Sequence, residues 1–382
     1  MFDLRGPCEN HATLRKNGSK ALFGTVPNWD CAGYLTSRLF RRWQSSDIRE
    51  YRIKAFMPSH SEKKERDILK LLPSPKQPPK LTARRIGIHT STAGGVENAA
   101  ERAYRLGCNT FQIFSSSPRQ WKPYDLARSQ CDEMSRLRER YGLKPLVVHA
   151  NYLVNLAGGN PDFHAKSIAA FRGEVERALA LCADFLVLHP GSFRGSSREE
   201  GLQRVALAIE QAVDGLDPAA GKLRVLIENT AGSEFSLGGN FEQVAELLYL
   251  LSDFVLAGAC IDTCHTHVAG YDIVSKAGFA ETLDELERTV GLKNVYVWHC
   301  NDAKAARGSK LDRHQHIGKG SIGLATFRRL LNDARLAHAA FIAETPIDEP
   351  LDDLMNVNAL KALVAGAKAL PSGKRKPRVR TL

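Results

Sequence analysis

The run VLIE, residues 225–228, consists of three apolar residues followed by a glutamate. It is one of six apolar runs that end in a histidine or a carboxylate side chain. A buried strand has no use for a charge without a partner, because taking an unpaired charge out of water is costly. The pattern is explained if the strands lie parallel and their carboxyl ends open onto one polar face. A (β/α)8 barrel has its active site at that face. The other five runs are LVVH (146–149), FLVLH (185–189), CID (260–262), VYVWH (295–299) and FIAE (341–344).

Runs of apolar and β-branched residues recur from residue 86 onward and predict eight strands. Helical patterns separate them: Ile168, Phe171, Val175 and Leu179, for example, recur at helical spacing. Strand–helix alternation repeated eight times predicts an α/β fold, the (β/α)8 TIM barrel, rather than an open sheet. The predicted strands lie at about residues 86–89, 110–114, 146–149, 185–189, 224–229, 257–262, 295–299 and 340–344.

The net charge of +11 is unevenly distributed along the chain. Residues 1–85 carry 18 Lys and Arg against 8 Asp and Glu, and residues 368–382 carry 6 against none. The remainder, 86–367, carries 29 against 34 and is mildly acidic, as expected of a domain lined with metal-binding carboxylates. The two basic ends suit a polyanionic partner.

Charge and periodicity together predict three parts. The Pro-rich stretch LLPSPKQPPKLT (71–82) indicates a linker ahead of the first regular strand. We expect the two ends to be disordered, because they lack the periodicity of packed elements. The predicted parts are a basic N-terminal extension (1–80), the barrel (81–370) and a basic C-terminal tail (371–382).

Eight scattered cysteines and the lack of a long apolar run indicate whether the chain crosses a membrane and which redox compartment it suits. A membrane-spanning helix needs about 18 or more consecutive apolar residues, and no run reaches that length, so we expect a soluble protein without a membrane partner. Scattered cysteines without a secretory signal predict free thiols in a reducing compartment.

Histidines and carboxylates stand at the predicted strand ends and in the loops just beyond them. Imidazole nitrogen and carboxylate oxygen are the donors that zinc and similar ions take. One zinc ion needs about three protein ligands, so nine candidates predict more than one ion, with carboxylates shared between ions. The nine candidate ligands are His149, His189, Glu228, Asp262, His265, His299, Asp312, His314 and Glu344.

Nine segments between residue 86 and about residue 345 contain or lie near the candidate ligands and the apolar runs. They are IGIHTSTAGG (86–95), PRQW (118–121), HANYLVNLA (149–157), HPGS (189–192), IENTAG (227–232), CIDTCHTHVAGYD (260–272), HCNDAK (299–304), GSKLDRHQHIGKGSIG (308–323) and AET (343–345). In their order and spacing these segments resemble endonuclease IV, a family of metal-dependent apurinic/apyrimidinic endonucleases among the xylose-isomerase-like barrels.

The resemblance implies a site of three zinc ions, with manganese as an alternative metal. It makes Glu228 and Glu344 the catalytic carboxylates and Glu228 a bridge between two ions. Clustered cations suit phosphodiester hydrolysis because they neutralise the charge that builds in the transition state. The implied groups are His149, His189 and Glu228 for the first ion, Glu228, Asp262, His299 and Glu344 for the second, and His265, Asp312 and His314 for the third.

The implied reaction is cleavage 5′ to abasic sites in duplex DNA, leaving a 3′-hydroxyl and a 5′-deoxyribose phosphate, in base excision repair. Removal of 3′-blocking groups is a further implied activity. The resemblance also implies a monomer that works beside the DNA, in the cytoplasm or, in a eukaryote, in the nucleus or an organelle.

Three residues match family positions that enter the DNA at the lesion: Arg119, Tyr152 and Leu153. A guanidinium plane and an aromatic ring can replace the stacking that is lost when a nucleotide leaves the duplex. The chain departs from the common family pattern nearby, where Ala150 and Asn151 replace Asp-Ser. This departure leaves the lesion selectivity open.

Two other functions remain compatible with the residues. A metal-dependent sugar isomerase or epimerase on the same barrel also gathers His, Glu and Asp at strand ends, but it needs one or two ions. A DNA-binding module without catalysis would explain the basic ends, although it would have no need of a complete ligand set. The number of bound ions therefore separates the first alternative from the nuclease.

Overall fold

The computed structural model describes residues 67–75, 82–122 and 124–366. The C-terminal tail, and the predicted extension apart from residues 67–75, lie outside the described residues. Their predicted disorder therefore stays a prediction. Within the described ranges, no helix is both long enough and apolar enough to cross a membrane.

Eight parallel strands form a nearly closed barrel, which confirms the predicted fold class. The barrel strands are β1 (Arg85–Ile88), β2 (Phe111–Phe114), β3 (Leu146–His149), β4 (Phe185–Leu188), β5 (Arg224–Glu228), β6 (Leu256–Asp262), β7 (Val295–His299) and β10 (Ala340–Ala343). A short antiparallel pair, β8 (Asp302–Ala303) and β9 (His314–Gln315), lies beyond β7.

Each barrel strand pairs with its neighbour in the order β1-β10-β7-β6-β5-β4-β3-β2. The two ends of this order meet through a bridge between His89 and Gln112, next to which the Thr90 amide donates to the Gln112 carbonyl at 2.8 Å.

Helices connect the strands, and several begin at capping side chains that the sequence supplies. The Asn160 side chain accepts from the Phe163 amide and Pro161 follows it, which starts the helix predicted from the spacing of Ile168, Phe171, Val175 and Leu179. Ser197 and Glu200 form a capping box for the next helix. The helices are α1 (Ile68–Leu71), α2 (Asn98–Arg105), α3 (Arg128–Tyr141), α4 (Pro161–Ala180), α5 (Arg198–Val213), α6 (Phe241–Leu251), α7 (Thr263–Ala269), α8 (Lys276–Thr289), α9 (Leu324–Asn332) and α10 (Asp352–Leu363), with 3-10 turns at Leu292–Asn294 and Ala334–Leu336.

A segment that precedes the predicted boundary at residue 81 packs on the barrel. Arg102 of α2 forms an ion pair with Asp67 at 3.0 Å. Arg105 donates to the carbonyls of Leu69 and Leu72 at 2.8 and 2.7 Å. These contacts fasten residues 67–72, which lie within the predicted extension, to α2 of the barrel.

The hydrophobic core has two layers, and the inner one positions the polar residues. Successive side chains of a strand point to opposite faces. Leu226 lies inside the barrel and its neighbours Val225 and Ile227 pack outward against the helices, so Glu228 points inward again. The same step of two residues links every inner apolar residue to a predicted ligand: Val147 to His149, Val187 to His189, Leu226 to Glu228, Cys260 to Asp262, Val297 to His299 and Ile342 to Glu344.

Candidate metal centre

Six of the predicted ligands stand at the carboxyl ends of barrel strands, and three come from the segments that follow. His265 lies on α7, which begins directly after β6 because the Asp262 carboxylate accepts from the His265 amide at 2.8 Å. The β8–β9 pair turns the loop after β7 back over the barrel and brings in Asp312 and His314. The structure thus brings all nine residues to one face of the barrel.

The first group consists of His149, His189 and Glu228. The Nε2 atoms of the two imidazoles lie 3.1 and 3.5 Å from Oε2 of Glu228. Their possible ligand atoms lie within 4.8 Å of one another. One carboxylate oxygen therefore faces two imidazole nitrogens, a spacing that suits a single ion.

The second group shares Glu228 with the first. Nδ1 of His299 lies 2.9 Å from Oε1 of Glu228 and 3.2 Å from Oε2 of Glu344. Asp262 completes the group, and the four possible ligand atoms again lie within 4.8 Å of one another. Glu228 is fully buried and directs one oxygen to each group.

The third group is the most exposed. Each oxygen of Asp312 faces one imidazole, with 3.2 Å to Nε2 of His265 and 3.2 Å to Nε2 of His314. His314 Nε2 is buried and, apart from this ion-pair contact with Asp312, has no hydrogen-bond partner among the described residues. A buried nitrogen that aims into a cluster of donors without a hydrogen bond fits a metal ligand.

Two buried thiols lie near the same groups. Cys260 lies within reach of Glu228 and His299, and Cys264 lies within reach of Asp262. Burial raises the pKa of both thiols, that of Cys264 to about 12. Because the thiolate is the form that binds metal, nitrogen and oxygen remain the favoured donors.

Charges within the cluster shift the pKa values of the imidazoles in the metal-free protein. Burial lowers the pKa of His299, but Glu228 and Glu344 outweigh burial and raise it to about 9. Burial is likewise outweighed at His314, where Asp312 and Asp262 raise the pKa to about 9. An imidazole that is doubly protonated at neutral pH must release one of its two protons when it binds a metal.

The remaining members of the cluster show both directions of shift. Burial lowers the pKa of His189 to about 4, so this imidazole is neutral and ready to bind. Burial raises the pKa of Asp262, although the nearby imidazoles act to lower it. At Glu344 burial is outweighed by His299 and His89, which hold its pKa below the usual range.

Two asparagines that sequence reasoning missed hold the ligands in place. Asn229 accepts from the Asp262 amide at 2.7 Å. Asn301 donates to the Asp262 carboxylate and accepts from the Glu344 amide at 2.8 Å. Asn229 directly follows Glu228, and Asn301 lies two residues after His299, so both stood inside the quoted segments IENTAG and HCNDAK.

The predicted DNA-contacting residues lie at the rim of the cluster. The Tyr152 side chain is 60% exposed, and its ring meets Phe114 edge-on at 5.1 Å and lies 5.9 Å from the His149 ring. Arg119 is exposed and Leu153 is half-buried. An exposed aromatic ring that touches a candidate ligand is available to contact a substrate.

Asn151, one of the departures from the family pattern, joins the two loops that carry these residues. Its side chain donates to the carbonyls of Ser117 and Gln120 at 3.0 and 2.9 Å, and accepts from the Leu153 amide at 2.7 Å. The loop with Arg119 is thereby fixed beside the loop with Leu153. A cavity of about 710 Å³ opens next to them, between the loops that follow β1 and β2.

Comparison with known proteins gives concordant results. The family model of the xylose isomerase-like TIM barrel matches residues 100–371. "Probable endonuclease 4" of Solibacter usitatus is 49% identical over 291 residues, which cover 75% of this chain and 99% of that protein. The crystal structure of endonuclease IV from Thermus thermophilus is 37% identical with a TM-score of 0.65, covering 73% of this chain and 98% of that one. A D-tagatose 3-epimerase-like protein is 19% identical with a TM-score of 0.54, covers 73% of this chain and 96% of that one, and shares the fold alone.

Proposed function

The chain belongs to the endonuclease 4 family of xylose isomerase-like TIM barrels, and we propose that it is an apurinic/apyrimidinic endonuclease that depends on three zinc ions. It hydrolyses the phosphodiester bond 5′ to abasic sites in duplex DNA and leaves a 3′-hydroxyl and a 5′-deoxyribose phosphate. This activity serves base excision repair, and removal of 3′-blocking groups belongs to the same site.

The observation that carries the proposal is the arrangement of nine donors in three groups on one face of the barrel. Five imidazoles and four carboxylates are the donor set that zinc takes. His149, His189 and Glu228 would hold the first ion, and His265, Asp312 and His314 the third. The second would be held by Glu228, Asp262, His299 and Glu344.

When bound, such ions supply positive charge against the phosphate and lower the pKa of water towards neutrality. The chain itself holds and orients the ligands: Glu228 is fully buried, and Asn301 supports both Asp262 and Glu344. Burial in the barrel keeps bulk water from Glu228 and Asp262 and so strengthens the charge interactions that these two carboxylates make.

Residues at the rim supply contacts to DNA. Arg119 and Tyr152 are exposed beside the cluster, where a guanidinium plane and an aromatic ring can stack against bases at the lesion. Basic side chains in the loops after β7 would neutralise phosphates of the DNA backbone. They are Lys304, Arg307, Lys310, Arg313 and Lys319.

The sugar-epimerase alternative has weaker support. Its likeness rests on fold alone, at 19% identity, and one fold hosts many reactions. The third group, His265, Asp312 and His314, gives the site more ligands than the one or two ions of such an enzyme require.

The proposal is tested by nicking of a duplex that contains one abasic site. We expect cleavage on the 5′ side, loss of cleavage after metal removal by a chelator, and recovery on addition of zinc. The same duplex without the abasic site is the control and should stay intact. Elemental analysis should find close to three zinc ions per chain; full nicking by the metal-free protein would overturn the proposal.

A further inference from the structure

One barrel strand breaks the rule that the inner layer is apolar. Gln112 of β2 pairs in register with Val147 of β3. It is fully buried, beside Val147, which is one of the six apolar residues of the inner layer. A buried amide is costly unless its polar atoms are hydrogen-bonded. Whether the buried Gln112 side chain is costly therefore depends on the hydrogen bonds that its amide makes.

Both polar atoms of the Gln112 amide face members or neighbours of the metal centre. Oε1 lies 2.8 Å from Nε2 of His299. Nε2 donates to Oε1 of Glu344 and lies 3.0 Å from Nδ1 of His89. One side chain thus contacts two candidate ligands of the second group and the histidine that follows β1.

The Glu344 carboxylate decides which way the amide points. A carboxylate only accepts hydrogen bonds, so the amide nitrogen must face it. The amide oxygen must then face His299, and because this oxygen also only accepts, Nε2 of His299 must carry a proton. The proton on Nε2 leaves Nδ1 as the atom of His299 that is available to a metal, and Nδ1 is the atom that faces Glu228 and Glu344.

His299 depends on this contact because its ring has the opposite orientation, with Nδ1 rather than Nε2 facing the other candidate ligands. Three other imidazoles of the cluster place Nδ1 against a backbone carbonyl, which leaves Nε2 for the metal. The pairs are His149 with Ala150 at 2.8 Å, His265 with Asn229 at 3.0 Å and His314 with Glu344 at 3.0 Å. For His299, the atom opposite the metal-facing nitrogen is Nε2, and it contacts a side chain, that of Gln112.

We propose that Gln112 is a positioning residue for the second metal ion, holding His299 as the Nε2-protonated tautomer and leaving Oε2 of Glu344 for the ion. The proposal rests on the proposed metal-dependent function. Gln112 is not one of the nine candidate ligands and would act through His299 and Glu344. Partners of metal ligands of this kind affect metal affinity by about 10- to 100-fold.

The test is zinc competition with a chromophoric chelator on the full chain carrying Gln112→Met, which keeps the length of the side chain and removes its hydrogen bonds. We expect one of three zinc ions to bind about 10- to 100-fold more weakly, with the other two much less affected. Gln203→Met is the matched control, because Gln203 is exposed on α5, and it should bind zinc as the wild type does.

Thermal unfolding of the metal-free variants separates positioning from a merely structural role. A structural role lowers the melting temperature of metal-free Gln112→Met and leaves zinc affinity unchanged; that result overturns the proposal, as does zinc affinity within about twofold of wild type for all ions. Gln112→Leu replaces the Met variant if the latter does not fold. If wild-type protein binds no zinc or fails to nick abasic DNA, the proposed function falls and the inference falls with it.

Discussion

Removing the metal should reverse the way in which stability depends on pH, and His299 is one of the groups responsible. In the metal-free protein its pKa is about 9, because Glu228 and Glu344 outweigh burial. An exposed histidine in the unfolded chain has a pKa of about 6.5. A raised folded pKa contributes stability that is fully present below about pH 6.5 and is lost as the pH rises through about 9.

The size of the effect follows from that difference. A change of one in pKa corresponds to about 1.4 kcal/mol, so the rise from 6.5 to about 9 gives an upper value of about 3 kcal/mol for His299. For a domain of this size each kcal/mol is worth about 2–4 °C in melting temperature. We expect the metal-free protein to lose on the order of 5–10 °C between about pH 6.5 and pH 9 through this residue.

The assay is thermal unfolding of chelator-treated, dialysed protein across this pH range. His299→Gln should be less stable near pH 6.5, and its decline towards pH 9 should be smaller than that of the wild type by up to about 3 kcal/mol, while His314 still contributes. His338→Gln is the matched control, since His338 contacts the Val295 carbonyl at the opposite end of β7. It should decline as the wild type does, so pH effects on the rest of the chain cancel.

The zinc-loaded protein should behave in the opposite way. Bound ions replace the protons of the cluster, so zinc affinity should increase as the pH rises from about 6.5 towards 9. Parallel decline of wild type and His299→Gln in the metal-free state would refute the reasoning, because it would mean that the His299 imidazole is already neutral, with a single proton, at neutral pH.

Two further substitutions test the predicted DNA contact at the rim of the metal cluster and the packing where β1 meets β2. Arg119→Ala should weaken binding to abasic duplex DNA in a mobility-shift assay by about 1–2 kcal/mol, or about 5- to 30-fold, with zinc content unchanged; Arg128→Ala, also exposed, is the control, and equal affinity would count against the contact. Gly87→Ala should lower the free energy of unfolding by about 1–3 kcal/mol in denaturant titration, because the added methyl group would overlap the Thr110 carbonyl between β1 and β2. Gly159→Ala, where the nearest atom is 3.6 Å away, should be close to neutral, and similar values for the two variants would contradict the overlap.

Much of the site was predictable because the strand period is fixed at two. Once Leu226 is assigned to the inner face, Glu228 must follow it to the carboxyl end of the barrel, and the same step applies to the other five strand ends. The two-residue period of the barrel strands does not place His265, Asp312 and His314, since these residues come from α7 and from the segment after β7. Their place in the set rested on the resemblance and on their residue types.

The hydrogen-bonding partners were not predictable from the sequence. Gln112 in FQIF interrupts an apolar run with a polar residue, and nothing local tells whether its side chain points to solvent, to a helix or into the barrel. Asn229 and Asn301 stand beside ligands, but their value depends on the close approach of Asp262 and Glu344 from other strands. Such contacts are set by tertiary packing, which the pattern of a single chain does not reveal.

Strand order explains why Glu228 faces two groups. It ends β5, which lies between β4 and β6 in the barrel. Its Oε2 faces His149 and His189, from the β3–β4 side, and its Oε1 faces His299, from the β7 side. Glu344 follows β10, which lies between β7 and β1, and the β1 side supplies His89 rather than a predicted ligand. Glu344 therefore meets predicted ligands on one side of its strand, whereas Glu228 meets them on both sides and can direct one oxygen to each group.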